Sequence, residues 1–116
     1  MQQTILIVDD DAGIRESLFY ILRRDYRVLL VEDGGDAVET AETHRVDLAF
    51  VDVFLPTLNG FEVLEQLCKL SIPVIMMSVI IEPEIVVQAM KGGAVHFITK
   101  DFVPEAVLSL VRSYLR

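Results

Sequence analysis

The chain alternates between two hydrophobic periods, and this alternation limits its fold more than any other feature does. Apolar runs rich in β-branched residues predict five strands, at Thr4–Val8, Arg27–Val31, Leu48–Val51, Pro73–Met77 and Val95–Ile98. Four of these runs are nearly continuous, as is typical of parallel strands that are covered on both faces. Segments of helical period lie between and after them. The pattern predicts an α/β fold, a doubly wound five-stranded parallel sheet with right-handed crossovers and strand order 2-1-3-4-5.

Length and charge narrow the class of protein. The 116 residues, 53% hydrophobic and 24% charged, predict one globular domain over residues 1–116. A formal net charge of −8 argues against direct binding of nucleic-acid phosphates and against an anionic membrane surface. The most apolar stretch, SIPVIMMSVII, is too short to span a bilayer, and no signal-peptide pattern precedes the first strand. We therefore expect a cytoplasmic protein, in which the single Cys68 is a reduced, helical residue.

Polar side chains follow the predicted strands at the point where each strand ends. The groups that face one crevice in this strand order are Asp9 and Asp10 after the first strand, Asp52 after the third, Ser78 after the fourth, and Thr99 with Lys100 after the fifth. Ligands of such sheets bind beyond the carboxyl ends of the strands, where the strand order reverses. We therefore expect these side chains to form one site.

Adjacent carboxylates at the edge of an apolar core repel one another unless a counter-charge lies among them. Mg²⁺ favours such a place, because it binds a few carboxylates together with waters and phosphate oxygens. The competing interpretation is a polar turn in which Asp11 caps the first helix. We accept that interpretation for Asp11 alone. For Asp9 and Asp10 it leaves the polar groups at the ends of the other strands unexplained.

Four stretches carry a family resemblance: ILIVDDDAGIR, DLAFVDVFLPTLNGFEVL, PVIMMS and AMKGGAVHFITKDF. Through them the chain resembles, over its whole length, the receiver domain of two-component response regulators. The spacing from Ser78 to Gly93-Ala94 looks most like receivers of nitrogen-regulation-type transcription activators. The resemblance implies a flavodoxin-like (βα)5 fold. It also implies a signalling domain that phosphorylates and dephosphorylates itself, and not a turnover enzyme.

The resemblance further implies a role for each residue of the predicted site. Asp52 is expected to accept a phosphoryl group from a sensor histidine kinase or a phosphotransferase in a Mg²⁺-dependent reaction. Asp10, Asp52 and the Val53 carbonyl are expected to bind Mg²⁺, and Asp9 to help through water. Phosphoryl transfer needs an in-line nucleophile and positive charge on the equatorial oxygens, which Asp52 and the cations would supply.

The remaining implied roles concern the signal. Ser78 would hydrogen-bond one phosphoryl oxygen, Lys100 would pair with another, and Phe97 would be the switch aromatic. The output face would be the fourth helix, fifth strand and fifth helix, through which phosphorylation would produce a homodimer. In the fourth helix the apolar residues cover more than half the circumference, which suits a partner. The alternative, that Ile80 and Ile81 fold over this surface, is equally open.

Several positions depart from the family pattern. Asp101 follows Lys100 where most receivers have proline, so we expect a trans bond and a modified loop. Val103 stands where the family often has a capping Asp. Apolar residues also flank the predicted nucleophile, at Phe54, Val79 and Ile80. These departures bear on the rate of phosphorylation and the switching geometry more than on phosphorylation itself.

Two other functions compete with this interpretation. A haloacid-dehalogenase-type phosphatase would carry a DxDxT pattern after the first strand, which DDDAG lacks. A degenerate receiver that only binds proteins would have lost Asp10, Asp52 or Lys100, and all three are present. The remaining charged residues are interpreted as ordinary surface: His96 as a partly exposed strand residue, and Arg15, Arg23 and Arg24 as a solvated face.

Overall fold

Residues 2–116, which the computed structural model describes, form five strands and five helices in strict alternation. In chain order these are β1 (Thr4–Val8), α1 (Ala12–Leu22), β2 (Arg27–Val31), α2 (Gly34–Thr43), β3 (Leu48–Asp52), α3 (Gly60–Lys69), β4 (Val74–Ser78), α4 (Pro83–Lys91), β5 (His96–Thr99) and α5 (Pro104–Tyr114). The strands pair in parallel in the order β2-β1-β3-β4-β5. The predicted fold class and strand order are confirmed.

The last three strands run one residue further toward the site than the sequence predicted. Asp52 still pairs with Met77, and Ser78 still pairs with Thr99. Polarity had suggested that the strands stop before these residues. Parallel pairing depends on backbone groups, so a polar side chain at the last position does not end the ladder.

Alternate residues of each inner strand supply two apolar layers, one on each face of the sheet. On β1, Leu6 and Val8 pack with α2 and α3, whereas Ile5 and Ile7 pack with α1 and α5. The inner strands β1, β3 and β4 are fully buried, which explains why their sequences are continuous apolar runs. Within residues 2–116 no helix has the length and apolarity needed to cross a membrane.

Helices α1 and α3 begin differently from helices α4 and α5. Asp11 caps α1 by accepting from the N–H groups of Gly13 and Ile14, as predicted. Asn59 and Glu62 form a capping box at α3. In the described part of the chain α4 and α5 begin with proline and have no side-chain cap, and Val103 stands at the α5 N-cap as the sequence indicated. Residues 2–116 contain no cis peptide bond, which confirms the trans bond predicted after Lys100.

Candidate functional site

The register of the sheet brings the polar strand ends to one edge. Val8 of β1 pairs with Val51 of β3, so Asp9 and Asp52 occupy the next positions side by side. Asp9, Asp10 and Asp52 each place one carboxylate oxygen within 4.8 Å of the others. Asp9 is fully buried and Asp52 is 3% exposed, whereas Asp10 faces solvent. The three predicted carboxylates therefore form one cluster, open on the side of Asp10.

Lys100 is the cation of this cluster. Its Nζ lies 2.8 Å from Asp9 Oδ2 and 2.9 Å from Asp52 Oδ2, and its side chain is 10% exposed. The contact with Asp52 has hydrogen-bond geometry. Burial alone would lower the pKa of Lys100, but the carboxylates of Asp9 and Asp52 outweigh burial and raise it. The ammonium group is therefore charged at neutral pH.

Opposing influences act on the pKa of the Asp52 carboxyl group. Burial raises its pKa, the Lys100 hydrogen bond lowers it, and the negative charge of Asp9 raises it again, with a net upward shift. Its Oδ1 also accepts the Phe54 N–H at 3.2 Å. A further cation beside Asp52 would favour the ionised form that can act as a nucleophile.

The residues present fit a divalent cation. Asp9 Oδ2 is buried, and Nζ of Lys100, which lies 2.8 Å from it, is shared with Asp52. One ammonium group between two buried carboxylates leaves a net negative charge that a second cation would neutralise. Carboxylate oxygens, together with waters and phosphate oxygens, are also the donors that Mg²⁺ prefers. The cluster is therefore suited to hold Mg²⁺.

The Val53 carbonyl, the fourth predicted metal ligand, lies at the start of the loop after β3. It accepts the Gly60 N–H at 2.9 Å, which ties the loop to the start of α3. A Cβ at residue 60 would lie 2.1 Å from the Asp52 carbonyl oxygen, so only glycine permits this approach. One lone pair of the Val53 carbonyl is used by Gly60 and the second is left for another partner.

Ser78 and Phe97 occupy the β4 and β5 side of the site. Ser78 is fully buried, and its Oγ accepts the Ile80 N–H at 3.1 Å. Phe97 is half-buried and packs against the apolar layer beneath α3 and α4. Ser78 ends β4 and Phe97 lies within β5, and their switch roles stay predictions.

Arg15 contradicts the interpretation of the basic residues as a solvated face. Its side chain is only 15% exposed, Nη1 donates to the Asp9 carbonyl at 2.8 Å, and Nη2 lies 3.3 Å from Glu32 Oε1. Arg23 and Arg24 are exposed as predicted. The signal missed in the sequence was spacing: Arg15 precedes the buried Leu18 by three residues and therefore lies toward the sheet.

The apolar surface of α4 stays uncovered. Val87 is 49% exposed and Met90 45% exposed. Ile80 and Ile81, the residues that could have folded over it, are themselves 42% and 63% exposed. The structure therefore favours the interpretation that this surface is available to a partner. His96 is exposed on β5.

An open crevice of about 470 Å³ leads to Lys100 from solvent. Its lining combines apolar and polar groups, namely Asp11, Ile14, Val79, Ile81, Thr99, Lys100 and Asp101. The Thr99 hydroxyl donates to the Asp101 carboxylate, so the residue that replaces the usual proline is tied to the strand before it. Of the residues assigned a role in the predicted site, Lys100 alone lines this crevice.

Comparison with known proteins identifies a matching family and a similar fold. The profile of the family described as "Response regulator receiver domain" matches residues 5–112. The chemotaxis protein CheY4 of Vibrio cholerae has a similar solved structure, with a TM-score of 0.92 and 28% sequence identity, covering 99% of this chain and 100% of that one.

Curated relatives are transcriptional regulators. The alkaline phosphatase synthesis transcriptional regulatory protein PhoP of Bacillus subtilis (strain 168) is 40% identical over 119 residues, covering 100% of this chain and 50% of that protein. The DNA-binding response regulator MtrA of Mycobacterium tuberculosis (strain ATCC 25618 / H37Rv) is 34% identical over 118 residues, covering 100% and 52%. The chain thus spans about half the length of these relatives. They do not specifically support the predicted likeness to nitrogen-regulation-type activators.

Proposed function

Because the chain belongs to the response regulator receiver domain family, we propose that it works as a phosphoacceptor in two-component signalling, with Asp52 as the phosphorylated residue. The observation that carries the proposal is the position of Lys100, whose Nζ lies within 2.9 Å of oxygens of both Asp9 and Asp52. A cation and a carboxylate nucleophile in contact, beside two further carboxylates, form the arrangement that phosphoryl transfer requires.

The proposed reaction moves a phosphoryl group from a phosphohistidine donor to Asp52. An oxygen of the Asp52 carboxylate attacks phosphorus, the phosphorus–nitrogen bond breaks, and the imidazole nitrogen of the donor leaves with the bonding electron pair and takes up a proton. The product is an acyl phosphate on Asp52. Lys100 pairs with a phosphoryl oxygen, and the Ser78 hydroxyl donates to another once it turns away from the Ile80 N–H.

Asp10, Asp52 and the Val53 carbonyl would hold Mg²⁺, with Asp9 completing the carboxylate cluster. When bound, Mg²⁺ supplies positive charge that stabilises the negative oxygens of the transferring group. The protein's contribution is positional: the Phe54 N–H fixes Asp52 Oδ1, and the Gly60 N–H fixes the Val53 carbonyl. The domain would be phosphorylated and dephosphorylated in a signalling cycle and would not turn over a separate substrate.

The decisive experiment is intact-mass measurement after incubation with acetyl phosphate. The wild-type protein is expected to gain the mass of one phosphoryl group in the presence of Mg²⁺ and to lose this gain in EDTA. Asp52→Asn should abolish the gain, and Asp36→Asn, a change in an exposed carboxylate of α2, should not. Phosphorylation of Asp52→Asn at the wild-type rate would overturn the assignment. Failure of the wild type to accept phosphoryl would favour the degenerate, protein-binding receiver instead.

The partners proposed for this domain follow from its relatives. PhoP and MtrA are named as transcriptional or DNA-binding regulators, and the chain matches about half of each. We therefore propose that a sensor histidine kinase or phosphotransferase supplies the phosphoryl group and that an output domain reads it. The net charge of −8 makes direct DNA binding by this domain unfavourable. A cytoplasmic location stays a prediction.

The proposed switch links Asp52 to the α4-β5-α5 face. A phosphoryl group adds negative charge and acceptor oxygens beside Ser78. Movement of Ser78 toward it would free volume near β5, which Phe97 would enter. Phe97 is already half-buried against the apolar layer, which supports our expectation that part of the inward state exists before phosphorylation.

The proposed consequence is a homodimer through α4, β5 and α5. Exposed Val87 and Met90 provide apolar surface that a second copy could cover. Sedimentation is expected to show a monomer that dimerises when acetyl phosphate and Mg²⁺ are added. Val87→Glu should block dimers without changing phosphoryl uptake, and Tyr20→Glu, at an exposed position of α1, should leave dimers intact. Equal masses with and without acetyl phosphate would refute the dimer but not the phosphoacceptor.

A further inference from the structure

The side chain of Arg15 contacts the carboxylate cluster at a backbone carbonyl of Asp9 and not at a carboxylate of the cluster. Its Nη1 donates to the Asp9 carbonyl oxygen at 2.8 Å, while Nη2 lies 3.3 Å from Glu32 at the end of β2. The Arg15 side chain is 15% exposed, whereas that of Glu32 is 73% exposed. The buried contact with Asp9 is therefore the stronger of the two, since exposed ion pairs contribute little.

The carbonyl that Arg15 holds belongs to the peptide that joins Asp9 to Asp10. Because a peptide unit is planar, the direction of this carbonyl sets the direction from which the Asp10 backbone continues. The orientation of the Asp10 carboxylate follows from that direction. Arg15 thus acts on the one peptide that lies between two members of the carboxylate cluster.

The other polar atoms of Asp9 are held as well. Its N–H donates to the Val31 carbonyl at 3.2 Å, and its Oδ1 accepts the Asp11 N–H at 2.9 Å. Arg15 supplies the contact for the carbonyl, and Oδ2 lies 2.8 Å from Nζ of Lys100 within the cluster. Removing the guanidinium would leave the buried Asp9 carbonyl unsatisfied, and the peptide would turn toward another donor.

From these contacts we infer that Arg15 is a positioning residue for the divalent cation site, fixing the Asp9–Asp10 peptide so that both carboxylates face the same point. The inference rests on the proposed Mg²⁺ site. The direction of the expected change in Mg²⁺ affinity distinguishes positioning from a simple charge effect. Removal of a positive charge near carboxylates would by itself tighten cation binding. Loss of positioning would weaken cation binding.

The test is calorimetric titration of Mg²⁺ into the unphosphorylated protein, so that the readout does not depend on phosphoryl transfer. Arg15→Met should weaken Mg²⁺ binding about tenfold, the lower end of the range for groups that orient metal ligands. The matched control is Arg24→Met, the same change at an exposed arginine, which should leave the affinity unchanged. Arg15→Lys, which keeps a donor for the carbonyl, should recover part of the loss.

A second readout is the backbone amide NMR spectrum without Mg²⁺. Arg15→Met should shift the Asp10 and Asp11 amides, and a purely stabilising role for Arg15 would leave them in place while the protein is folded. Unchanged or tighter Mg²⁺ binding in Arg15→Met overturns the inference. If Arg15→Met does not fold, the Mg²⁺ affinities of Arg15→Lys and Arg15→Gln test the inference. Wild-type Mg²⁺ affinity in both variants overturns the inference. Absence of Mg²⁺ binding in the wild type would instead reject the proposed function.

Discussion

The loops that surround the carboxylate cluster are of two kinds. The anchored side consists of residues 9–11 and 53–59, in which Asp9 and Val53 donate their N–H groups to neighbouring strands and which lead into helices with side-chain caps. The open side consists of residues 79–82 and 101–103, which expose Val79, Ile81 and Val103 and precede helices without a side-chain cap. Lys100 joins the two sides through its ion pairs with Asp9 and Asp52.

The contrast indicates a division of labour. Groups that would hold the cation and attack phosphorus must be placed before the reaction, and the anchored side holds them by backbone hydrogen bonds. Segments that respond to phosphorylation must have two arrangements of similar free energy, and loosely held loops provide them. We therefore propose that the anchored side is the rigid part of the site and the open side the part that moves, and four experiments test this difference.

The largest effect is expected at Lys100. Replacing Lys100 with Met leaves the buried carboxylates of Asp9 and Asp52 without a cation, which should lower the free energy of unfolding in EDTA by about 3 kcal/mol. Mg²⁺ should restore much of this loss and should bind at least as tightly as in the wild type, because a competing charge is gone. Urea denaturation with and without Mg²⁺ measures both quantities.

Lys69→Met, at an exposed position on α3, is the control and should change neither quantity. The same variant tests signalling: Lys100→Met should uncouple any phosphorylation from dimer formation. Weaker Mg²⁺ binding in Lys100→Met, or unchanged stability in EDTA, would contradict the role of Lys100 as the cation that stabilises the Asp9 and Asp52 carboxylates.

The anchored side should lose stability when a cap is removed. Asn59→Ala deletes the capping-box acceptor for the Glu62 N–H and should cost about 1 kcal/mol of unfolding free energy. Thermal or urea denaturation detects such a change. The control is Thr57→Ala, an exposed change in the same loop. Equal stability of the two variants would show that the capping box does not anchor this loop.

The open side should gain stability when a cap is added. Val103 has extended N-cap backbone geometry but no side-chain acceptor, so the nearly isosteric Val103→Thr should raise the unfolding free energy by about 0.5 kcal/mol. Val79→Thr, at an exposed valine outside an N-cap, should raise it less. If the open side must move, Val103→Thr should also reduce dimerisation upon phosphorylation. Unchanged stability together with unchanged dimerisation would contradict this account of the loop.

The smallest effect concerns Cys68, where α3, the helix that follows the anchored side, meets the end of α4. Its Sγ lies 3.8 Å from the carbonyl oxygens of Gly92 and Gly93, and burial raises the pKa of the thiol. The folded protein therefore keeps the proton to higher pH than the unfolded chain does. The stability that this group adds is complete below the unfolded pKa and is lost as pH rises through the folded pKa.

Alkylation with iodoacetamide, followed by mass measurement from pH 7 to 10, reports this shift. The midpoint for the folded protein should lie above that for the chain unfolded in urea, with glutathione in the same urea as the reference thiol. Coincident midpoints would show that α4 does not shield Cys68. Faster alkylation after phosphorylation would indicate that the end of α4 moves away from α3.

Much of the fold was predictable because its signals are local. Apolar periodicity located every strand, and strand ends differed from prediction by a single residue at β3, β4 and β5, where polar side chains continue the ladder. The site was predictable in part for the same reason, since a parallel sheet brings its carboxyl strand ends to one edge. Asp9, Asp10 and Asp52 therefore meet as expected.

The sequence by itself determined which residue types reach the carboxyl edge of the sheet, because strand periodicity and strand order depend on short segments. Only the tertiary structure decided how they pair. Lys100 contacts Asp52 across 48 positions of the chain, and Arg15 holds a backbone carbonyl that no side-chain pattern marks. Exposure of the α4 surface was likewise decided by how the loop after β4 lies. Such contacts depend on register and packing to within an ångström, which local propensity does not specify.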